Sequence, residues 1–257
     1  MTISRTSRKA QNRRPPDRPA DPPASAQVAN PETPRRSLPD GLMTRIAAGM
    51  LDVTVDFGGG CGIFKGLMLA ALIVDRPMAL AVEIGVYRGR SLVPQALAFQ
   101  AIGAGRVIGI DPYSAAEAIQ TDDHEIPAPI LQGFVADADW DRIHRETLDR
   151  LVSLGVADFC ELRRTTSHEA SASFEDASVD LLHIDGNHDL AAVLDDLKCW
   201  LPKLKHGAYL VMDDASWRAI QPAMQALNES LDRVFVLDDR GLFESGNRMD
   251  FAVYRIP

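Results

Sequence analysis

The feature that most restricts the fold is a rhythm of seven short, nearly uninterrupted apolar runs, most of them separated by helical stretches of 12 to 20 residues. The runs are ALAVEIG (79–85), RVIGIDP (106–112), DFCELRR (158–164), VDLLHID (179–185), AYLVMDD (208–214), RVFVLDD (233–239) and MDFAVYRI (249–256). A strand with one wet face alternates apolar and polar residues, whereas a continuous apolar run marks a strand covered on both faces, as in a parallel sheet flanked by helices. The expected fold is therefore α/β, with a seven-stranded, mainly parallel sheet and helices on both faces. Only a short turn, RGLFESGNR, joins the last two runs, so these should pair as an antiparallel hairpin at a sheet edge. Ahead of the rhythm, LMTRIAAGML reads as a helix. FGGGCGIFKG reads as a loop too rich in glycine for regular structure, and GLMLAALIV as a buried helix.

With 257 residues, 46% of them hydrophobic, the chain can bury a sizeable core, and no second change of composition marks a further domain. Residues 41–257 are expected to form one domain, with 41–78 as an N-terminal helical segment and the long stretch 113–157 covering the substrate mouth. Residues 1–40 hold eight Arg or Lys against four Asp or Glu, and half of the sixteen prolines. Such a segment buries too little apolar surface to offset its ordering entropy, so a disordered basic tail is expected there. The whole chain carries −9, which leaves −13 on the remainder. An acidic body of this kind excludes sequence-independent nucleic-acid binding. The longest apolar stretch, Gly66 to Val74, is too short to cross a membrane, and no apolar segment follows the charged N-terminus, so a cytoplasmic protein is expected. Cys61, Cys160 and Cys199 lack CxxC spacing and read as small buried apolar residues.

Open parallel sheets bind ligands beyond the carboxyl ends of their strands, which makes those ends the place to look for chemistry. The first run leads into Glu83-Ile84-Gly85-Val86-Tyr87-Arg88-Gly89-Arg90-Ser91. Tyr87 and Arg90 stand where the dinucleotide fingerprint GxGxxG needs its second and third glycines, so NAD and FAD are disfavoured. The second run ends in Asp111, an acceptor of the kind that holds a ribose diol. Asp185, Asp213 and Asp214 end two later runs, which would place three acids at one mouth of the sheet. Buried without compensation, three carboxylates are costly, and a hard cation, Mg²⁺ or else Ca²⁺ or Mn²⁺, would relieve the cost. The alternative is a solvated acidic cap.

EIGVYRGRS, VIGIDPY, LLHIDGNH and YLVMDDA, in this order and spacing, resemble the class I S-adenosylmethionine-dependent methyltransferases. The resemblance is to the metal-dependent small-molecule O-methyltransferases of the macrocin/novobiocin-biosynthesis type and covers about residues 65 to 257. It implies a Rossmann-like fold, S-adenosyl-L-methionine as cofactor, and a small-molecule hydroxyl as acceptor. It further implies that Glu83, Gly85, Gly89 and Ser91, with Tyr87 in the same loop, hold the methionine part of the cofactor. Asp111 would take the ribose hydroxyls and Ser167 would border the adenine; Tyr113 would cover the adenine face or pack as core. The metal ligands implied are again Asp185, Asp213 and Asp214.

Relatives in that family carry an aspartate where this chain has Asn187, which leaves Asn187 as a helix cap or a ligand contact. His188 becomes the candidate base, or else a helix-terminal histidine, and Asp185 joins it as a candidate catalytic group. His183, inside a strand, reads as a satisfied core histidine. Trp140 and His144 read as packing or substrate wall, and His124 lies in a loop of the same long stretch. Arg163, Arg164 and Trp217 read as salt-bridging and core residues. The expected function is methyl transfer to a hydroxyl, assisted by a divalent cation. The alternatives are a metal-dependent hydroxylase-like enzyme on the same fold and a non-catalytic cofactor-binding or scaffold protein. Neither a nucleic acid nor a membrane is an expected partner, and a homo-oligomer stays open.

Overall fold

The structure is a computed structural model, and it describes residues 38–53, 60–123, 126–237 and 250–257. The expectations for the basic tail, for His124 and for the turn between the last two runs lie outside the described residues. In chain order the described elements are α1 (Leu42–Leu51), α2 (Ile63–Asp75), β1 (Leu80–Ile84), α3 (Leu92–Ile102), β2 (Arg106–Ile110), α4 (Ala115–Ala118), α5 (Ala128–Asp137), α6 (Trp140–Ser153), β3 (Cys160–Arg163), α7 (Ser167–Ser171), β4 (Val179–Ile184), α8 (Leu190–Trp200), β5 (Leu204–Asp213), α9 (Gln221–Ser230), β6 (Asp232–Leu237) and β7 (Phe251–Arg255).

The seven strands form one sheet in the order β3-β2-β1-β4-β5-β7-β6. The pairings β3/β2, β2/β1, β1/β4 and β4/β5 are parallel, and β7 runs antiparallel to both neighbours. The last two strands form the expected antiparallel hairpin at a sheet edge, with β7 paired to β5 and β6 outermost. The residues explain the order. Every residue of β7 except Arg255 is buried, as an interior strand requires, while β6 is largely exposed and has Val234 and Val236 in solvent.

Core residues cover both faces of the sheet. Leu69, Ile73, Leu97 and Phe99 pack on one face with α1, α2 and α3. Trp200, Leu182, Leu210 and Met224 pack on the other with α8 and α9. Helix α2 begins earlier than the glycine count suggests: Ile63 to Gly66, read as loop, form its first turn. Its buried residues are Lys65, Gly66, Leu69, Ala70, Ile73 and Val74, a stripe of helical period that includes one charged side chain. Gly66 is what allows the approach, since a Cβ there would overlap Met50 of α1 and the Pro94 ring of α3. Arg90 ties the same region to the sheet. Its guanidinium donates to the carbonyls of Met50 (2.7 Å), Val53 (3.1 Å) and Cys61 (2.5 Å), the three groups that flank the start of α2.

Candidate active site

The strand order reverses between β1 and β4, and a cavity of about 310 Å³ opens there at the carboxyl edge. Its floor is formed by Gly85, Asp111, Asp185 and Gly186, and one side by Thr166 and Ser167. Leu131, Phe134 and Trp140, from the stretch 113–157, supply an apolar wall. Gly85 has φ +81°, and a Cβ on it would collide with the Asp185 carbonyl, so the exits of β1 and β4 lie almost in contact. Tyr87, Tyr113 and Asp214 are non-glycine residues with left-handed φ, each just past the end of a strand. Strain of this kind costs of order 1 to 3 kcal/mol per residue and concentrates at functional sites.

Asp111 is 8% exposed, and local backbone donors hold it. Its Oδ2 accepts from the amides of Val86 (2.9 Å) and Tyr87 (2.8 Å), and its Oδ1 from that of Tyr113 (2.7 Å). Burial pushes this carboxyl above its usual range, against the pull of those three amides. The carboxylate therefore shapes the loop after β1 and still borders the cavity. Ser167 donates to Asp196 (2.5 Å) and accepts from the Trp200 indole (2.8 Å), which fixes its hydroxyl at the cavity side. Burial raises Asp196 to about 6.

Glu83, Gly89, Ser91 and Tyr113 do not themselves line this cavity; they lie in and beneath the loops that border it. Glu83 is fully buried and accepts from the Ser91 hydroxyl (2.8 Å) and from the Gln95 amide, with His183 Nδ1 at 3.2 Å. These residues form a polar network beneath the loop, not a surface for a ligand. Gly89 forms the buried turn above Thr147. Tyr113 is 1% exposed and packs on His144 at 4.8 Å, the core alternative of the two. Of the eight expected cofactor residues, Gly85, Tyr87, Asp111 and Ser167 reach the cavity.

The acids at the ends of β4 and β5 are arranged differently from the expectation. Lys65 reaches from α2 into this cluster and is 2% exposed. Its ammonium pairs closely with Asp213 and lies 3.5 Å from Asp185 Oδ2. Burial alone would lower the Lys65 pKa, but Asp185 and Asp213 together hold it well above the ordinary lysine range. Burial also pushes Asp185 upward, reinforced by the Asp213 charge, whereas at Asp213 burial is outweighed by Lys65, the hydrogen bond with Asp185 and His183 together, which keep it below the usual carboxylate range. His183 joins the cluster from the Glu83 side, with Nε2 3.8 Å from Asp213 and 3.9 Å from Asp185. Asp214 pairs instead with His188 Nε2 at 3.5 Å, and the His188 ring packs on Trp217 at 4.9 Å.

Asp185, Asp213 and Asp214 were expected to need a metal because nothing in their own runs neutralises them. Lys65 does so. A divalent ion on Asp185 would have to share that carboxylate with an ammonium already 3.5 Å from the same oxygen, and the two cations would repel each other. With Asp213 committed to Lys65, the three-carboxylate set does not fit a hard cation.

Asn187 and Asp189, directly after the β4 exit, hold the wall in place. Asn187 donates to the carbonyls of Glu117 (3.2 Å) and Ile119 (2.8 Å). Asp189 accepts from the amides of Thr121 and Asp122, each at 2.9 Å. Asp189 and not Asn187 is the N-cap residue of α8; Asn187 accepts from the Asp189 amide (2.8 Å) and lines the cavity. Arg163 and Arg164 are salt-bridged to Glu161 (2.7 Å) and Asp141 (2.6 Å). Cys61 and Cys160 are buried, and burial raises the Cys61 thiol to about 12, which leaves it inert; Cys199 is only partly buried.

A family model described as a methyltransferase domain matches residues 82–215, just over half of the chain and the whole span from β1 to the β5 exit. The chain belongs to this methyltransferase family. Among solved structures, the methyltransferase domain is similar to TomG, an O-methyltransferase from Streptomyces achromogenes involved in tomaymycin synthesis and solved with SAM. The identity is 14%, the TM-score 0.56, and the match covers 87% of this chain and 92% of that one. It is also similar to the SAH-bound methyltransferase PaMTH1 from Podospora anserina, with 15% identity, a TM-score of 0.53 and 88% and 92% coverage. At these identities the likeness speaks for the fold. A 60-residue stretch is 42% identical to the uncharacterized protein y4gI of Sinorhizobium fredii (strain NBRC 101917 / NGR234), and it covers 23% of this chain and 7% of that protein.

Two groups of residues in this methyltransferase domain escaped the sequence reading. The wall clasp of Asn187 and Asp189 joins positions about 70 apart and leaves no local trace. Lys65 did leave one: it is the single lysine on the buried stripe of an apolar helix, a position that demands a partner.

Proposed function

We propose that the chain transfers the methyl group of S-adenosyl-L-methionine to a hydroxyl of a small molecule. The observation that carries this reading is the cavity at the β1/β4 switch point of a methyltransferase-family sheet, because that is where such a sheet presents its strand-end loops to a ligand. Asp111 with the Gly85 turn would face the ribose and the methionine part, and Ser167 the adenine. Leu131, Phe134 and Trp140 would keep water away from the reacting atoms.

In the reaction the hydroxyl oxygen attacks the methyl carbon in line with the carbon–sulfur bond, that bond breaks, and S-adenosylhomocysteine leaves with the electron pair. The sulfonium supplies the activation, so the protein's part is alignment and removal of one proton. We assign the proton to His188, which follows the cavity-lining Asn187 without itself lining the cavity, and whose imidazolium Asp214 at 3.5 Å would stabilise. Asp185 at the cavity floor orients the acceptor.

Calorimetry with S-adenosylmethionine, S-adenosylhomocysteine and NAD tests the reading. The first two should bind comparably and NAD should not, and Asp111→Ala should weaken both. Saturation by NAD with no response to S-adenosylmethionine would refute it.

A further inference from the structure

We infer that Lys65 is a built-in cation that plugs a latent metal site made of His183, Asp185 and Asp213, so that the chain works without a divalent ion. The catalytic half of this inference rests on the methyl transfer proposed above; the metal-binding half does not.

Three observations converge on it. First, the ammonium lies between two carboxylates at the ends of adjacent strands and is shut away from water, so it is not a surface lysine in passing contact. Second, its position is over-determined. Gly66 seats α2 against α1 and α3, and Arg90 binds the carbonyls of Met50, Val53 and Cys61 ahead of α2, so the helix that carries Lys65 is packed in place. Third, His183 is fully buried and its Nε2 has no hydrogen-bond partner, yet it is aimed at both Asp213 and Asp185 from under 4 Å. His183, Asp185 and Asp213 can bring one donor atom each to within 4.8 Å of one another. One imidazole nitrogen and two carboxylate oxygens suit Mn²⁺. What excludes an ion from this set is the ammonium that shares its centre.

Removing the charge should therefore open the site. Paramagnetic resonance of added Mn²⁺ reads this directly, since the free ion gives a signal that is lost on binding. The wild-type chain should leave Mn²⁺ free, and Lys65→Ala should bind one ion at least about tenfold more tightly than wild type. Lys65→Gln, which keeps more of the side chain, is the second variant if Lys65→Ala fails to fold, and circular dichroism decides which is folded. Adding Asp213→Asn to either should abolish the gain. Wild-type sequestration of one Mn²⁺ that Asp213→Asn removes would overturn the inference, as would a folded Lys65 variant that leaves the ion free. S-adenosylmethionine binding, followed by calorimetry on the same samples with EDTA, should be unchanged by the chelator. Failure to bind S-adenosylmethionine at all would count against the functional reading and leave the Mn²⁺ result standing.

Discussion

Asp111 and Asp213 are both buried acids at the carboxyl edge of one sheet, and they are satisfied in opposite ways. Asp111 is held by three amides from residues within 25 positions of it, two of them in the loop it shapes. Asp213 is held by a lysine 148 positions away, on a helix that precedes the whole sheet. No substitution other than proline removes a backbone donor, so the first arrangement is robust. The second depends on one side chain, and losing it strands a charge. The contrast teaches that a strand-end carboxylate does not by its presence imply a metal; what implies one is the absence of any internal cation within reach.

The comparison can be broken most forcefully at Lys65. Lys65→Met keeps the apolar stem and removes the charge, and leaving Asp213 unpaired should cost about 3 to 5 kcal/mol in urea unfolding. A loss below about 1 kcal/mol would mean that Asp213 is not sustained by this pair. Gly85→Ala strikes the junction between the two regions, where the β1 and β4 exits touch. With positive φ and the Asp185 carbonyl in the path of its Cβ, it should lose at least about 3 kcal/mol and abolish S-adenosylmethionine binding.

Asp196 sharpens the comparison through pH. Its folded carboxyl titrates near 6 against 3.8 for an unperturbed one, so the folded state binds more protons between those values. Stability from this group is therefore full below about 4, falls as pH rises to about 6, and stays lower above. Relative to Asp196→Asn, wild type should lose about 2 to 3 kcal/mol across that window. Parallel pH profiles for the two proteins would show that burial does not perturb Asp196. The smallest stability effect is expected for Asp111→Asn. It still offers one oxygen to Val86 and Tyr87 but turns an N–H₂ toward the Tyr113 amide, a cost of about 1 to 2 kcal/mol, with weaker cofactor binding as the clearer readout.

How much was legible in the sequence follows the same division. The parallel sheet was readable because buried strands are continuous apolar runs, and Asp111 because it ends one of those runs. Which strand of the final hairpin lies outermost was not, since a hairpin has the same local pattern either way round. Glu83 and Ser91 were legible as members of the loop motif, but the buried network that joins them to Gln95 and His183 was not, because His183 lies 100 positions from Glu83. Lys65 was lost in a glycine-rich stretch that composition marks as loop and tertiary packing makes helix.

The central claim, that Lys65 and Asp213 compensate each other, is tested most directly by a double-mutant cycle in urea with Lys65→Met, Asp213→Leu and the pair together. Each single change should be strongly destabilising and the double much less so, with a coupling energy of about 2 to 3 kcal/mol, because a buried ion pair replaced whole by apolar groups strands no charge. Single costs that add to the double within about 0.5 kcal/mol would contradict the account.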